Sequence, residues 1–190
     1  MPARLPEWLT PPEDGYTAED LDRISDLPAH TELIDGSLVF ASSRPAFHMV
    51  VIDELKSALR SQAPEDFVVM REMTVTLARR QRPEPDLSVI TRATFQGLDH
   101  GDLLVAGVVL VVEVVSRESE IRDRERKPRL YAAAGIPDYW LVENEAGEPV
   151  VHAHELGPDG TYRPAAVHRG RLKTSRPFPL DIDLAGLTRV

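Results

Sequence analysis

Four segments decide the fold: Pro83–Ile90 (PEPDLSVI), Val111–Ser116 (VVEVVS), Asp123–Lys127 (DRERK) and Leu130–Glu143 (LYAAAGIPDYWLVE). They read as strand, strand, helix start, then helix end and strand. An acid opens the first strand (Asp86), a second acid lies inside the next (Glu113), and Lys127 follows in the helical segment. A carboxylate inside an apolar strand is costly unless something pairs or coordinates it. Two of them near a lysine point to a divalent-cation site for phosphodiester chemistry.

Outward from these segments the elements alternate. Thr17-Ala-Glu-Asp20 is an N-cap signal for a helix to about Leu27. Residues 32–40 form a hairpin around Asp35-Gly36, a favoured two-residue turn. From Ala46 to Gln62 apolar residues recur at helical spacing, and Pro64 stops that helix. Phe67–Met70, Met73–Leu77, Leu87–Ile90 and a long central Leu103–Val115 read as strands, with Arg79–Pro85 a basic connector. The helix after Ser116 ends at Ala134, where Gly135 suits the C′ position and Pro137 forbids continuation. Tyr139–Val142 is a strand, residues 149–168 an edge hairpin turning at Gly157–Gly160, and the proline-containing tail is irregular with one last short strand. The fold class is α/β, a mixed central β-sheet flanked by helices. It forms one domain over residues 1–190: an irregular arm (1–16), a core (about 17–151), then the edge hairpin and tail (152–190).

Composition narrows the function classes. A 190-residue chain with 42% hydrophobic residues supports a proper core. It has no apolar run long enough to span a membrane. The opening MPARLPEWLTPPEDG lacks the order of a signal peptide. Zero cysteines exclude disulfides and thiolate metal sites, which fits a cytoplasmic location. The net charge of −9 argues mildly against a general nucleic-acid binder, but it is unevenly spread. Residues 1–70 hold 5 Lys/Arg against 13 Asp/Glu, whereas residues 71–190 hold 17 against 18. Basic clusters at Arg79–Arg82, Arg122–Arg129 and Arg169–Arg176 are more often solvated faces than binding surfaces.

A hard cation such as Mg²⁺ takes oxygen ligands and keeps several waters, so Asp86 and Glu113 with a substrate phosphate suffice. The main-chain carbonyl of Val114 is a further candidate ligand. Such a metal polarises the phosphate and activates a water for in-line attack, which Lys127 can orient or stabilise electrostatically. Each residue also has a plain reading. Asp86 can simply begin a strand, Glu113 can pair with an arginine in the core, and Lys127 can be a solvated charge. Pro128 is tolerated in a first helical turn, which places Lys127 at the helix start near Asp123. Tyr131, Tyr139 and Trp140 read as core aromatics. His152-Ala-His154 puts two imidazoles on one strand face, but a zinc site there lacks an obvious third ligand. No Gly-x-Ser-x-Gly elbow and no phosphate-cradling glycine loop is present.

Taken in order, these segments resemble the bacterial putative restriction endonuclease family of the PD-(D/E)xK nuclease superfamily, long filed as a domain of unknown function. The resemblance spans roughly Thr17 to Val151. It implies a restriction-endonuclease-like core and Mg²⁺-dependent cleavage of DNA, with Mn²⁺ a possible substitute. Pro85-Asp86 matches the PD element and Glu113 the acidic element. Val115 stands where the superfamily lysine falls, and Lys127 takes the place that this family uses in the following helix. Glu32 and His48 also fit the family pattern, as an outer ligand or water-orienting acid and as a substrate contact. Ser116 would bind phosphate or cap the next segment. By analogy with enzymes that cut both strands of a duplex, a homodimer is expected. The alternatives are a nuclease-fold protein that binds nucleic acid or a partner without cutting, and a structural ion-pair core.

Overall fold

The computed structural model describes residues 6–41 and 44–189. After a 3₁₀ turn at Glu7–Leu9 come α1 (Ala18–Arg23), β1 (Thr31–Ile34), β2 (Ser37–Phe40) and α2 (Ala46–Gln62). Next are β3 (Phe67–Arg71), β4 (Thr74–Val75), β5 (Leu87–Thr91), β6 (Asp102–Leu103) and β7 (Val108–Val114). A π-helical turn at Arg122–Arg126 runs into α3 (Lys127–Ala133). The remainder is β8 (Asp138–Glu145), β9 (Glu148–Leu156), β10 (Tyr162–Arg169), β11 (Arg171–Thr174) and β12 (Leu180–Asp183). Six strands form the central sheet in the order β10-β9-β8-β7-β5-β3. Within this sheet β7 and β8 run parallel, joined by the α3 crossover, and the other four pairs are antiparallel; β4 and β6 form a separate parallel pair.

The expected mixed α/β architecture is present, and the physical reason is legible in β7. Its sequence VVLVVEV is β-branched and apolar on both faces, so both faces must be covered. Leu110, Val112 and Val114 pack against Val51, Ile52, Leu55 and Leu59 of α2. Val108 and Val111 turn the other way, against Tyr131, Ile136 and Tyr139. The Asp35-Gly36 turn has φ of 56° and 77°, the left-handed pair that a tight hairpin demands.

Four expectations are corrected. The long strand Leu103–Val115 is broken into β6, a 3₁₀ turn at Val105–Gly107, and β7. Gly107 sits so close to the turn at Arg92–Thr94 that a Cβ there would lie 1.7 Å from Thr94 Oγ1; only glycine allows that approach. The Met73–Leu77 strand shrinks to β4, because the basic connector folds back on it: Pro83 accepts from Val75 N–H and Gln81 from Leu77 N–H. The first helix stops at Arg23, where Ile24 turns extended and packs against Tyr16, Leu21 and Leu33. Finally, the tail is not irregular. β11 and β12 pair in register from Arg171↔Asp183 to Thr174↔Leu180. Leu172, Phe178, Leu180, Ile182, Leu184 and Leu187 are buried in the same core as α2. The prolines mark the hairpin's own loop, not the loss of structure.

Candidate active site

Asp86 and Glu113 are brought together by sheet register. β5 pairs with β7 so that Leu87 faces Val112, and one step further sets Asp86 beside Glu113. Asp86 Oδ2 accepts the main-chain N–H of Val114 at 2.7 Å, which fixes its carboxylate against β7. The same Oδ2 lies 3.2 Å from His48 Nε2 of α2, and Oδ1 accepts from Arg44 at 3.1 Å. Arg44 also pairs with Glu72.

The helix supplies the rest. Asp123, Lys127 and Tyr131 stand four residues apart, so they share one helical face, and that face meets Glu113. Lys127 Nζ lies 2.9 Å from Glu32 Oε1, 3.1 Å from Glu113 Oε1 and 3.3 Å from Asp123 Oδ1. Tyr131 donates its hydroxyl proton to Glu113 Oε1 at 2.6 Å. The π turn explains how a helix carries Pro128 just after Lys127. A proline ring crowds the carbonyl four residues back; the widened turn relieves that, with Lys127 N–H bonding to Arg122 O, five residues earlier. The α-helical turns begin at Lys127 as the sequence predicts, but they continue an existing helical turn that also holds Asp123.

These side chains line a cavity of about 40 Å³ with Ser116, Arg122 and Glu84 on its walls. Glu32, His48, Asp86, Glu113, Asp123 and Lys127 are all buried. Glu32 also anchors the connector, accepting the N–H of Glu84 at 2.8 Å. Burial pushes Glu113 well above the usual carboxylate range; the charge of Lys127 opposes this, while Asp123, Asp86 and Glu32 reinforce it. Asp86 feels the same burial, but His48, Lys127 and Arg44 outweigh it and hold the carboxyl below its ordinary value. Burial would lower Lys127, yet the surrounding acids, Glu113 foremost, push it well above its ordinary value.

Ser116 follows the capping reading: its hydroxyl accepts from Ser119 N–H at 3.3 Å and lies 3.0 Å from Ser119 Oγ. Tyr131 is a core aromatic, and in addition it holds Glu113; its spacing of four from Lys127 was the available signal. Arg44 carries no such signal, because nothing in the loop before α2 announces a partner 42 residues away. Val114 meets the site through its N–H. A separate group, Glu143, Glu145 and His152 on β8 and β9, has ligand atoms within 4.8 Å of one another. Arg124 and Arg169 already pair with its two acids, and it is distinct from the Asp86–Glu113 pocket.

Among the described residues no helix is long and apolar enough to cross a membrane. No curated protein matches the sequence. A crystal structure of a "putative nuclease belonging to DUF820" from Anabaena variabilis ATCC 29413 superposes with a TM-score of 0.70 at 15% identity, covering 90% of this chain and 97% of that one. That likeness shows a shared fold. The family model Uma2, described as "Putative restriction endonuclease", matches residues 18–186, and the chain belongs to that family.

Proposed function

We propose that the protein is a divalent-cation-dependent endonuclease that hydrolyses phosphodiester bonds of DNA. The observation that carries this reading is the convergence of Glu32, Asp86, Glu113, Asp123 and Lys127 on one small cavity, from four separate parts of the chain. Membership of a restriction endonuclease family supports it.

The donor set fits a hard cation. The candidate ligands are all oxygens, and among the described residues the acids Glu32, Asp86, Glu113 and Asp123 pair with Lys127 and Arg44. Asp123 Oδ1 is buried, makes no hydrogen bond among the described residues, and has Lys127 Nζ at 3.3 Å as its ion-pair partner. The cavity of about 40 Å³ exceeds the roughly 10–15 Å³ that one water requires. Asp86 and Glu113 would hold Mg²⁺ or Mn²⁺, with the Val114 carbonyl as a further ligand. Such a cation supplies Lewis acidity, drawing charge from a phosphate oxygen and making water a better nucleophile.

The chain's own groups do the remaining work. Asp86 stays ionised because Val114 N–H, His48 and Arg44 all stabilise its charge. Lys127 sits among Glu32, Glu113 and Asp123, which favour its charged form. It acts by donating hydrogen bonds that orient that water and by offsetting charge at the five-coordinate phosphorus. Glu32 and Asp123 hold the ammonium in place, and Tyr131 and Lys127 fix the Glu113 carboxylate. A homodimer with two such sites cutting the two strands, acting in the cytoplasm, completes the proposal.

Supercoiled-plasmid cleavage with Mg²⁺ or Mn²⁺ tests it, comparing the wild type with Asp86→Ala and Glu113→Ala. Loss of nicking in both variants is expected; equal activity in all three would refute the assignment. A second reading, a nuclease-fold protein that binds without cutting, is favoured by one observation: the acids are already neutralised in part by Lys127 and Arg44. Calorimetric titration with Mn²⁺ separates the two, since the binding-only protein need take up no cation at Asp86. The structural ion-pair reading required Glu113 on an arginine far from Asp86, whereas Glu113 pairs with Lys127 in the Asp86 pocket.

A further inference from the structure

The catalytic cavity is far too small for a nucleotide, so a DNA strand reaching it must lie in an adjoining opening. One such opening is a cleft of about 460 Å³ between the start of α2 and the loop after β7. It shares two lining residues with the cavity, His48 and Ser116. Clefts of this size suit a nucleotide-sized ligand.

We infer that this cleft is the subsite for the nucleotide next to the cleaved phosphate, with Arg117 on its phosphate and the Phe47 ring against its base. This deepens the nuclease reading and rests on it. Three observations point to this occupant. Arg117 lines the cleft, is exposed, and makes no ion pair among the described residues. Arg124, on the same wall, is by contrast committed to Glu120 and Glu143 at 3.0 and 2.8 Å. Phe47 is half-buried, packed against the core, so its ring is held and costs little to order when a base stacks on it. His48 is buried between the two openings; Nε2 lies on Asp86, and Nδ1 has no hydrogen-bond partner among the described residues. A buried unpaired imidazole nitrogen is costly, and a polar group of the strand passing from cleft to cavity would satisfy it. Arg124 bridges the cleft's two acids, Glu120 and Glu143, and Arg117 is the arginine of the cleft left without an acid partner among the described residues.

The test is fluorescence anisotropy of the full chain with a short fluorescein-labelled DNA, single-stranded and duplex, in EDTA so that nothing is cut. Arg117→Ala should raise Kd roughly 3- to 10-fold and reduce the slope of log K against log salt by about one. Phe47→Leu should raise Kd on the order of fivefold, with little change in salt slope. Arg163→Ala, an exposed arginine of the edge hairpin, should leave both unchanged. If Arg117→Ala matches the wild type or Arg163→Ala, the subsite assignment fails. A wild type that binds no DNA overturns the subsite and the nuclease reading together. A wild type that binds but does not nick plasmid with Mn²⁺ removes the nuclease reading, and Arg117→Ala still decides the subsite.

Discussion

Replacing Lys127 by methionine removes the cation that Glu32, Glu113 and Asp123 surround. The ammonium is 4% exposed and lies within 3.3 Å of Glu32, Glu113 and Asp123. Methionine matches its length, so the perturbation is electrostatic and leaves no large cavity. Breaking a buried pair by removing one partner costs about 3–5 kcal/mol, because the remaining charge stays desolvated. For a chain of this length, 1 kcal/mol moves Tm by about 2–4 °C, so a fall of about 6–20 °C is expected in calorimetry without metal. Glu113→Gln in the same protein should return a substantial part of that loss, since it deletes the acid that Lys127 most strongly supports. Excess Mn²⁺ should stabilise Lys127→Met more than the wild type; at 100 times the variant's own Kd the ion adds about 2.7 kcal/mol to the variant. A Tm within about 3 °C of wild type would refute the reasoning, for it would mean that the acids are not held charged around the lysine.

Other perturbations reach different parts of the fold. Leu172 is fully buried in the core shared by α2 and the C-terminal hairpin, so Leu172→Ala should cost about 2–5 kcal/mol in urea unfolding; a cost near zero would show that the hairpin is not part of that core. Gly107→Ala drives a methyl into Thr94 and should cost on the order of 1–3 kcal/mol, with Thr94→Gly in the same chain recovering much of it. Failure of that rescue would mean that the strand break has another cause. Burial holds His154 below its ordinary value of 6.5, although hydrogen bonds from its ring to the main-chain carbonyls of His152 and Tyr139 oppose this. The folded protein thus binds the proton less readily than the unfolded chain. Stability from this group is present above 6.5 and lost as pH falls through that value toward the folded one. His154→Gln should flatten this acid-side decline, and stability curves of equal slope for the two proteins would contradict it.

Much of the site was legible because its chemistry is written in exceptions. Glu113 stands out as the one charge in an apolar strand, and Asp86 as an acid at a strand's mouth. Lys127 was the weakest of the three by sequence, since DRERKPR reads as a solvated run. Its burial follows from Pro128 and the π turn, which no periodicity reveals. Arg44 was invisible, because an ion pair across 42 residues leaves no local trace. The tail was misread because two strands of four residues with prolines between them carry too little pattern, and their apolar residues gain meaning only beside α2.

By itself, then, the sequence determined the elements and the order of acid, acid and lysine, through hydrophobic period, turn residues and charges placed where charges are costly. The tertiary structure decided which charges meet. Sheet register set Asp86 against Glu113, the β7–α3–β8 crossover laid Asp123, Lys127 and Tyr131 over them, and the start of α2 closed the pocket with Arg44 and His48. These contacts are long in sequence and short in space, so their energies depend on a dielectric and a geometry that exist only once the core has formed.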